Sequence, residues 1–422
     1  MKVLALDIGS SSAKAAVLVD GAIVGDTVRV PYRTDVDGVR VSVSAKELRR
    51  AAFAALDWID ATGADVLALT GMSPAWVAMG KHGVEKSDVI THADRRSVQQ
   101  AHAIEQAIGH DEHMNRVGNR PFPGGISSTT CKWFADNVGM NGVELVGHMT
   151  TLLHTALTGA RVIDETNAGF TGLWRIDGAG WDEELCELVG VTPAQLPRVV
   201  GSGEIVGKLL PGASTALKLP DGLPVSAGIV DGSGAMILAG AKPGQVVNAA
   251  GSTDVLAVCL DRPQPRPDLL TRPLGIDGKW VAVATEAAAG STIDWVRREL
   301  FADHGNAKFA TALDDATHAA AELLIQVDPR LAGSRTDIDQ PTGGITGLTL
   351  ATTRHDILRA TVAALTQSRQ RRLAQLESLG TPLLDEVIVT GGGSTSAGWP
   401  DRFRLRVEEE ATLRGAALSI IA

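Results

Sequence analysis

The most constraining feature of this chain is a stretch near its start, where an apolar run leads to one acid and then to a small turn rich in hydroxyl groups. The run at 3–8 contains only one charged residue, Asp7, and the turn at 9–12 consists of one glycine and three serines. A second apolar run, 15–19, ends at Asp20-Gly21. The pattern predicts two strands joined by a tight turn, with a third strand after the Asp-Gly turn.

The turn has the chemistry of an anion site. Gly9 lets the backbone bend and approach a ligand closely. The hydroxyls of Ser10, Ser11 and Ser12, together with the N–H groups of the turn, can surround a phosphate. Asp7 would end a buried strand, where an unpaired carboxylate is costly and a cation is a natural partner. An ordinary hairpin with a satisfied acid explains this stretch equally well.

The same pattern recurs in the second half of the chain. The segment 245–258 has two apolar runs flanking Gly251, Ser252 and Thr253. Two related halves that face one ligand would explain this recurrence. Two such loops can hold neighbouring phosphates of a nucleotide, so the repeat favours a functional origin for both turns.

Length, charge and cysteine content limit the classes of protein to which the chain can belong. A chain of 422 residues is expected to form two domains. A net charge of −10 without a basic block argues against nucleic-acid or membrane partners. The cysteines are scattered and odd in number, which favours free thiols in a reducing compartment; they are Cys131, Cys186 and Cys259. With neither a signal-peptide pattern nor an apolar run long enough to cross a bilayer, a cytoplasmic location is expected.

Two further segments carry acids at predicted strand ends. Asp94 and Arg96 can together accept and donate hydrogen bonds to a polyol, although an isolated pair of this kind is more often a surface salt bridge. Asp231 follows the apolar strand 223–230 and precedes a helix of small residues. A carboxylate there suits a base that accepts a hydroxyl proton, whereas an N-cap aspartate is the common alternative.

The remaining pattern alternates strands and helices, which indicates a mixed α/β protein. The periodicity predicts helices over 145–157 and from 353 to about 379, the second ending at Gly380. The strand predicted at 386–390 runs into Gly391, Gly392, Gly393 and Ser394, where bare backbone could lie flat against an adenine or ribose. Three glycines and a serine alone are weak evidence for a nucleotide site, because flexible loops have the same composition.

Taken in order, these motifs resemble those of the FGGY carbohydrate kinase family, and the likeness extends over essentially the whole chain. The motifs that carry it are Asp7-x-Gly9 with Ser10, Ser11 and Ser12, Asp94-x-Arg96, Gly228-x-x-Asp231, Gly251-Ser252-Thr253, Gly391-Gly392-Gly393-Ser394, and Glu410-Ala411 with Gly415. The resemblance implies a duplicated ribonuclease-H-like α/β fold of the actin/hexokinase/Hsp70 type, with an interdomain cleft. The expected domains are 1–240, which binds sugar, and 241–422, which binds nucleotide.

The resemblance also implies roles for individual residues. Asp231 would be the catalytic base, Asp7 would position Mg²⁺, and Asp94 and Arg96 would hold sugar hydroxyls. The residues expected to bind ATP are Ser10, Ser11, Ser12, Lys14, Gly251, Ser252, Thr253, Gly290, Gly392, Gly393 and Ser394. Met72 and Ser73 stand where many relatives have Met-His, so they are expected to line the substrate site.

The expected function is ATP-dependent transfer of a phosphoryl group to a small carbohydrate. A ketopentose of the xylulose or ribulose type is the first candidate, because 157–207 and 228–240 most resemble pentulose kinases. The alternatives are a kinase of another polyol or of a sugar acid, and an ATP-binding sugar sensor without transferase activity. A homodimer is possible.

Overall fold

The computed structural model describes residues 1–318, 324–391 and 399–421. Within them the chain forms two α/β units, one on a seven-stranded and one on a six-stranded mixed sheet. The strands of the first unit are β1 (Lys2–Ile8), β2 (Ser12–Val19), β3 (Ala22–Pro31), β4 (Asp35–Asp37), β5 (Arg40–Val43), β6 (Val66–Gly71), β7 (Ala75–Met79), β8 (Val89–Thr91), β9 (Leu145–His148), β10 (Val162–Asp164), β11 (Arg198–Val200), β12 (Ile205–Lys208), β13 (Pro224–Ser226) and β14 (Ile229–Val230). Its helices are α1 (Ala45–Asp57), α2 (Val98–Ile108), α3 (His110–Val117), α4 (Ser128–Asn137), α5 (Met149–Thr158), α6 (Glu165–Ala168), α7 (Glu183–Val189), α8 (Pro211–Leu217) and α9 (Asp231–Leu238).

The second unit follows directly. Its strands are β15 (Val246–Ala250), β16 (Asp254–Leu260), β17 (Leu270–Pro273), β18 (Trp280–Glu286), β19 (Gln326–Asp328), β20 (Gly344–Thr346), β21 (Glu386–Thr390) and β22 (Arg404–Val407). Its helices are α10 (Gly290–Leu300), α11 (Asn306–His318), α12 (Arg354–Glu377) and α13 (Ala411–Ile421). Among the described residues, no helix combines the length and the apolar character needed to span a bilayer.

The two large sheets repeat one pairing pattern. In the first, β1 is antiparallel to β2, β2 is antiparallel to β3, and β1 is parallel to β6. In the second, β15 is antiparallel to β16, β16 is antiparallel to β18, and β15 is parallel to β21. The hairpins predicted from the two hydroxyl-bearing turns therefore occupy equivalent places, which confirms the duplicated fold. Asp20 and Gly21, both with positive φ, close the turn to β3 as expected for a tight hairpin.

A smaller sheet, ordered β4-β5-β8-β7-β9, extends the first unit and corrects one sequence prediction. The helix predicted over 145–157 begins only at Met149, because residues 145–148 form β9. Strand β9 pairs antiparallel with β7, from Met79 opposite Leu145 to Trp76 opposite His148. That pairing partner is distant in sequence, so apolar periodicity alone could not reveal it.

The two units are joined by helices α9 and α13, which cross at their glycines. Helix α13 packs on β1, β2 and β6 of the first sheet, and α9 reaches β15 and β21 of the second. A Cβ atom on Gly415 would overlap the backbone of Gly234, so the helices touch backbone to backbone. This crossing brings the start of each helix to the ends of the central strands.

Candidate active site

Two aspartates lie where the central strands of the first sheet end. Strands β1 and β14 both run parallel to β6, so their carboxyl ends meet. Asp7 lies in β1 opposite Thr70 of β6, and Asp231 directly follows β14 as the first residue of α9. The pKa of Asp7 is raised to about 7, first by burial and next by the negative charge of Asp231. The two carboxylates are therefore close enough to interact electrostatically.

Asp7 has a free oxygen that fits a cation. Its Oδ2 accepts a hydrogen bond from Thr412 Oγ1 at 2.9 Å, whereas Oδ1 is buried without a partner among the described residues. Lys14, opposite Asp7 on β2, pairs with Glu410 at 2.8 Å. Within the described ranges no three His, Cys, Asp or Glu side chains are placed to hold a metal. Because Mg²⁺ commonly binds one or two carboxylates plus substrate phosphates, the single oxygen of Asp7 suits an ion that arrives with a nucleotide.

Asp231 is held at the start of α9 with a raised pKa. Burial is the main cause, partly offset by the Gly232 N–H, which donates to Oδ1 at 2.6 Å, and by the charges of two arginines. The strand leading to Asp231 is fixed as well, because the Val230 N–H donates to Thr166 Oγ1 at 2.8 Å. Thr166 in turn donates to the buried Asp164. A positioned carboxylate with raised pKa is what a proton acceptor requires.

The two hydroxyl-bearing turns close in the same way. The Gly9 N–H donates to the Ser12 carbonyl at 3.0 Å, and the Gly251 N–H donates to the Thr253 carbonyl at 2.8 Å. Ser10, Ser11 and Ser252 are exposed at the tips, whereas Ser12 is buried and Thr253 is partly buried. Both turns therefore present hydroxyl and backbone groups beyond the strand ends.

Helix α10 begins against the second turn. The Gly290 N–H donates to the Gly251 carbonyl at 3.1 Å, and a Cβ atom on Gly290 would overlap that carbonyl. Gly391 follows β21 with a φ of 97° and packs as closely against Ala250. The predicted adenosine contacts Gly392, Gly393 and Ser394 lie outside the described residues.

The buried Asp94 and the largely buried Arg96 form an ion pair. Asp94 is 2 % exposed, and its carboxylate accepts bonds from Arg96 Nε at 2.9 and 2.8 Å and from the Val41 N–H at 2.6 Å. The Arg96 guanidinium also lies over the ring of Trp133, 4.7 Å from its centroid. The surface salt bridge considered from the sequence is thus excluded by burial, while contact with a sugar stays a prediction.

Met72 and Ser73 follow β6 directly. The Met72 side chain belongs to the hydrophobic core of the first unit, and its N–H donates to the Ile8 carbonyl at 2.9 Å. Ser73 Oγ lies 3.3 Å from His148 Nδ1, and the Ser73 carbonyl accepts a bond from Arg335. Ser73 is therefore connected to both units.

Arg272 and Arg335 were missed from the sequence. Both come from the second unit, and both lower the pKa of Asp231, which belongs to the first. Arg272 lies in the short strand β17, and Arg335 in the loop between β19 and β20. The only local sign that Arg272 has a functional role was its charge inside the apolar segment 269–274. The sequence around Arg335 gives no such sign.

Comparison with known proteins settles the family. The N-terminal domain model of the FGGY family of carbohydrate kinases matches residues 2–237, and its C-terminal domain model matches residues 246–400. This chain belongs to the FGGY family. The matched ranges contain the central part of each large sheet and both hydroxyl-bearing turns.

Relatives within the FGGY family differ in their named substrates. An L-fuculokinase of Salmonella typhi is 29% identical over 286 residues, covering 64% of this chain and 58% of its own length. A glycerol kinase of a Geobacillus species is 27% identical over 348 residues, covering 77% of this chain and 68% of its own length. The structure of xylulose kinase from Rhodospirillum rubrum superposes with a TM-score of 0.87 at 21% identity, covering 100% of this chain and 89% of that one. The chain thus spans less than two thirds of the L-fuculokinase.

Proposed function

We propose that this chain is an ATP-dependent kinase that phosphorylates a hydroxyl group of a small polyhydroxylated acceptor. The observation that carries the proposal is the pair formed by the buried Asp7 and the partly buried Asp231 beside a hydroxyl-bearing turn. One carboxylate has a free oxygen for a cation, and the other lies at a helix start with a raised pKa. Membership of the FGGY family supports the same chemistry.

In the proposed reaction the acceptor oxygen attacks the γ-phosphorus of ATP in line. The new O–P bond forms as the bond to the ADP oxygen breaks, and the hydroxyl proton passes to Asp231. The turns at Ser10–Ser12 and Gly251–Thr253 would bind the phosphates, with Lys14 beside them. Mg²⁺ held by Asp7 would neutralise charge on the phosphates. Positioning supplies most of the rate enhancement in such transfers.

On the acceptor side, Asp94, Arg96, Met72 and Ser73 are the proposed contacts. The ion pair of Asp94 and Arg96 offers both acceptors and donors to hydroxyl groups. Among neutral acceptors, a ketopentose of the xylulose or ribulose type is the first to test. We also propose domain limits of 1–240 and 241–422 and a cytoplasmic location, the latter in keeping with three buried free cysteines.

The test is ADP release from Mg-ATP across a panel of ketopentoses, aldoses, polyols and sugar acids. One acceptor should stimulate release well above background hydrolysis. Asp231→Asn should lower the stimulated rate about 10²–10⁴-fold while ATP binding persists. The matched control is Asp26→Asn, an exposed acid on β3, which should retain the wild-type rate. An Asp231→Asn variant with an unchanged stimulated rate would remove Asp231 as the base.

A further inference from the structure

Within the described parts of the chain, three buried arginines near the candidate active site have no carboxylate in direct contact. Arg95, Arg272 and Arg335 are 8 %, 2 % and 8 % exposed. None of them has a carboxylate within 4.0 Å among the described residues, whereas Arg96 pairs with Asp94 at 2.7 Å and Arg372 pairs with Asp254 at 2.9 Å. A buried cation is costly unless it is paired. The three guanidinium groups are therefore not directly ion-paired within those residues, although the charge of Asp231 acts on Arg272 and Arg335 from beyond 4.0 Å.

Arg272 is fixed in place by its neighbours without a direct ion pair to any residue that the structure describes. Its Nη1 donates to Ser233 Oγ at 2.6 Å and to the Pro273 carbonyl at 2.9 Å, and its guanidinium lies over the ring of Phe170. Its Nε is buried without a hydrogen-bond partner in the described ranges. The strand that carries it is anchored to the first unit, since the Asn119 side chain makes two 2.8 Å bonds with the backbone of Thr271. Arg272 is thus held rigidly, and its Nε can still donate a hydrogen bond.

Arg335 reaches the same region from a separate loop. Its Nη2 donates to the Ser73 carbonyl at 3.1 Å, and its Nε is buried with no partner in the part of the chain that the structure describes. The loop is anchored on both units. Ile338 is buried in the hydrophobic core that spans them, and Asp339 Oδ1 lies 2.8 Å from Nε2 of His102 in the first unit. Arg335 is therefore carried by the second unit to the strand end of the first.

The unpaired charge lies on the acceptor side. Burial of its ring and the charges of Arg335 and Arg95 lower the pKa of the partly exposed His92 to about 3, and His92 lies two residues before Asp94. Within the described residues, none of the three arginines donates a hydrogen bond to either hydroxyl-bearing turn. The cation beside the first turn is Lys14, which has its own carboxylate partner. This placement favours an anionic group on the acceptor over a phosphate of ATP.

We infer that the acceptor is a sugar acid, whose carboxylate is bound by Arg335 and Arg272 while one of its hydroxyl groups lies at Asp231. The planar guanidinium groups supply paired N–H donors that match a carboxylate. This inference rests on the proposed kinase function and narrows its acceptor from neutral sugars to polyhydroxylated carboxylates.

The experiment compares matched acceptors in the ADP-release assay. Tetronates, pentonates and hexonates are each paired with the alditol of the same length and configuration, and the neutral ketopentoses are included. The best acid should exceed its alditol in kcat/KM about 10–100-fold, the range expected for hydrogen bonds to a charged group. The same acid, without ATP, should raise the Tm of the protein, and its alditol should not.

Variants of Arg335 test the contact itself. Arg335→Gln should raise KM for the acid about tenfold or more and leave KM for ATP unchanged. Arg335→Lys keeps the charge but loses the forked geometry, so its KM should be intermediate. Arg354→Gln, which breaks an ion pair with Asp303 elsewhere in the second unit, should leave both constants unchanged. Circular dichroism of each variant checks the fold.

Each outcome separates the inference from the function on which it rests. Neutral ketopentoses that turn over faster than every acid would overturn the inference and leave the kinase function intact. A higher KM for ATP alone in Arg335→Gln would also overturn it, since the arginine would then contact nucleotide. A Tm shift with acids but no ADP release would support the acid site and reject the kinase function. No shift and no release with any compound would reject both.

Discussion

Asp7 is buried beside Asp231, and its Oδ1 has no hydrogen-bond partner among the described residues. Its pKa is 3.8 in an ordinary setting and about 7 here. Below pH 3.8 Asp7 is protonated in both the folded and the unfolded chain, so burying it costs no free energy of ionisation. As pH rises between the two values the unfolded chain ionises first and stability falls, and above the upper value the full penalty persists.

Asp7→Asn should therefore stabilise the protein while inactivating it. Asparagine can still accept the bond from Thr412 but carries no charge, so the free energy of unfolding should rise by about 2–4 kcal/mol near pH 8. The gain should vanish as pH falls towards about 4. Transfer activity should drop about 10²-fold or more, because the cation loses its carboxylate. Urea unfolding at several pH values, together with ADP release, measures both effects.

Asp26→Asn is again the control for a lost surface charge, since Asp26 is exposed on β3. Its stability should follow that of the wild type at every pH. If Asp7→Asn were less stable than the wild type near pH 8, the raised pKa of Asp7 would be wrong. Full activity in that variant would instead remove Asp7 from the cation site.

At the scale of elements, the crossing of α9 and α13 determines the alignment of the two units. Gly415 faces Gly234 with no room for a Cβ atom. A Cβ atom on either glycine would meet backbone atoms, which cannot move aside by changing rotamer. Gly415→Ala should cost about 3 kcal/mol of stability. It should also lower activity, because Thr412 on the same helix donates to Asp7.

Gly212→Ala is the matched control for that substitution. Gly212 lies in α8 with open space around its Cβ position, so alanine should raise stability by about 0.5–1 kcal/mol through its better helix propensity. Urea unfolding of both variants gives the comparison. Equal stabilities for the two variants would contradict the backbone contact between α9 and α13.

Sequence was informative where the signal was local. The turns after Asp7 and at Gly251 could be recognised because strand, glycine and hydroxyl residues are consecutive, and the recurrence of that unit predicted the duplicated sheets. Strand β9 was missed because its identity depends on pairing with β7, which lies far along the chain. Arg335 was missed because it approaches Ser73 across 262 residues of chain. Such contacts arise only from the packing of the two units.

At the scale of the whole molecule, one hydrophobic core crosses from the first unit to the second. It contains Phe122 of the first unit together with Leu270 and Ile338 of the second, all nearly or fully buried. A separate core lies entirely within the first unit and includes Phe134, whose ring centroid is 5.1 Å from that of Trp76. Because apolar burial couples the units, we expect the wild-type protein to unfold in one cooperative transition.

Two phenylalanine substitutions test this coupling. Phe122→Ala and Phe134→Ala each remove a buried ring, and each should cost about 3–5 kcal/mol. Phe134→Ala should lower Tm but keep a single transition, because its core belongs to one unit. Phe122→Ala should also broaden or split the calorimetric transition, because it weakens the core that the units share. Scanning calorimetry gives the ratio of van't Hoff to calorimetric enthalpy, which should stay near unity for Phe134→Ala and fall for Phe122→Ala. If both variants unfolded in one step with the same ratio, the shared core would not be what couples the two units, and the helix crossing at Gly234 and Gly415 would have to supply that coupling instead.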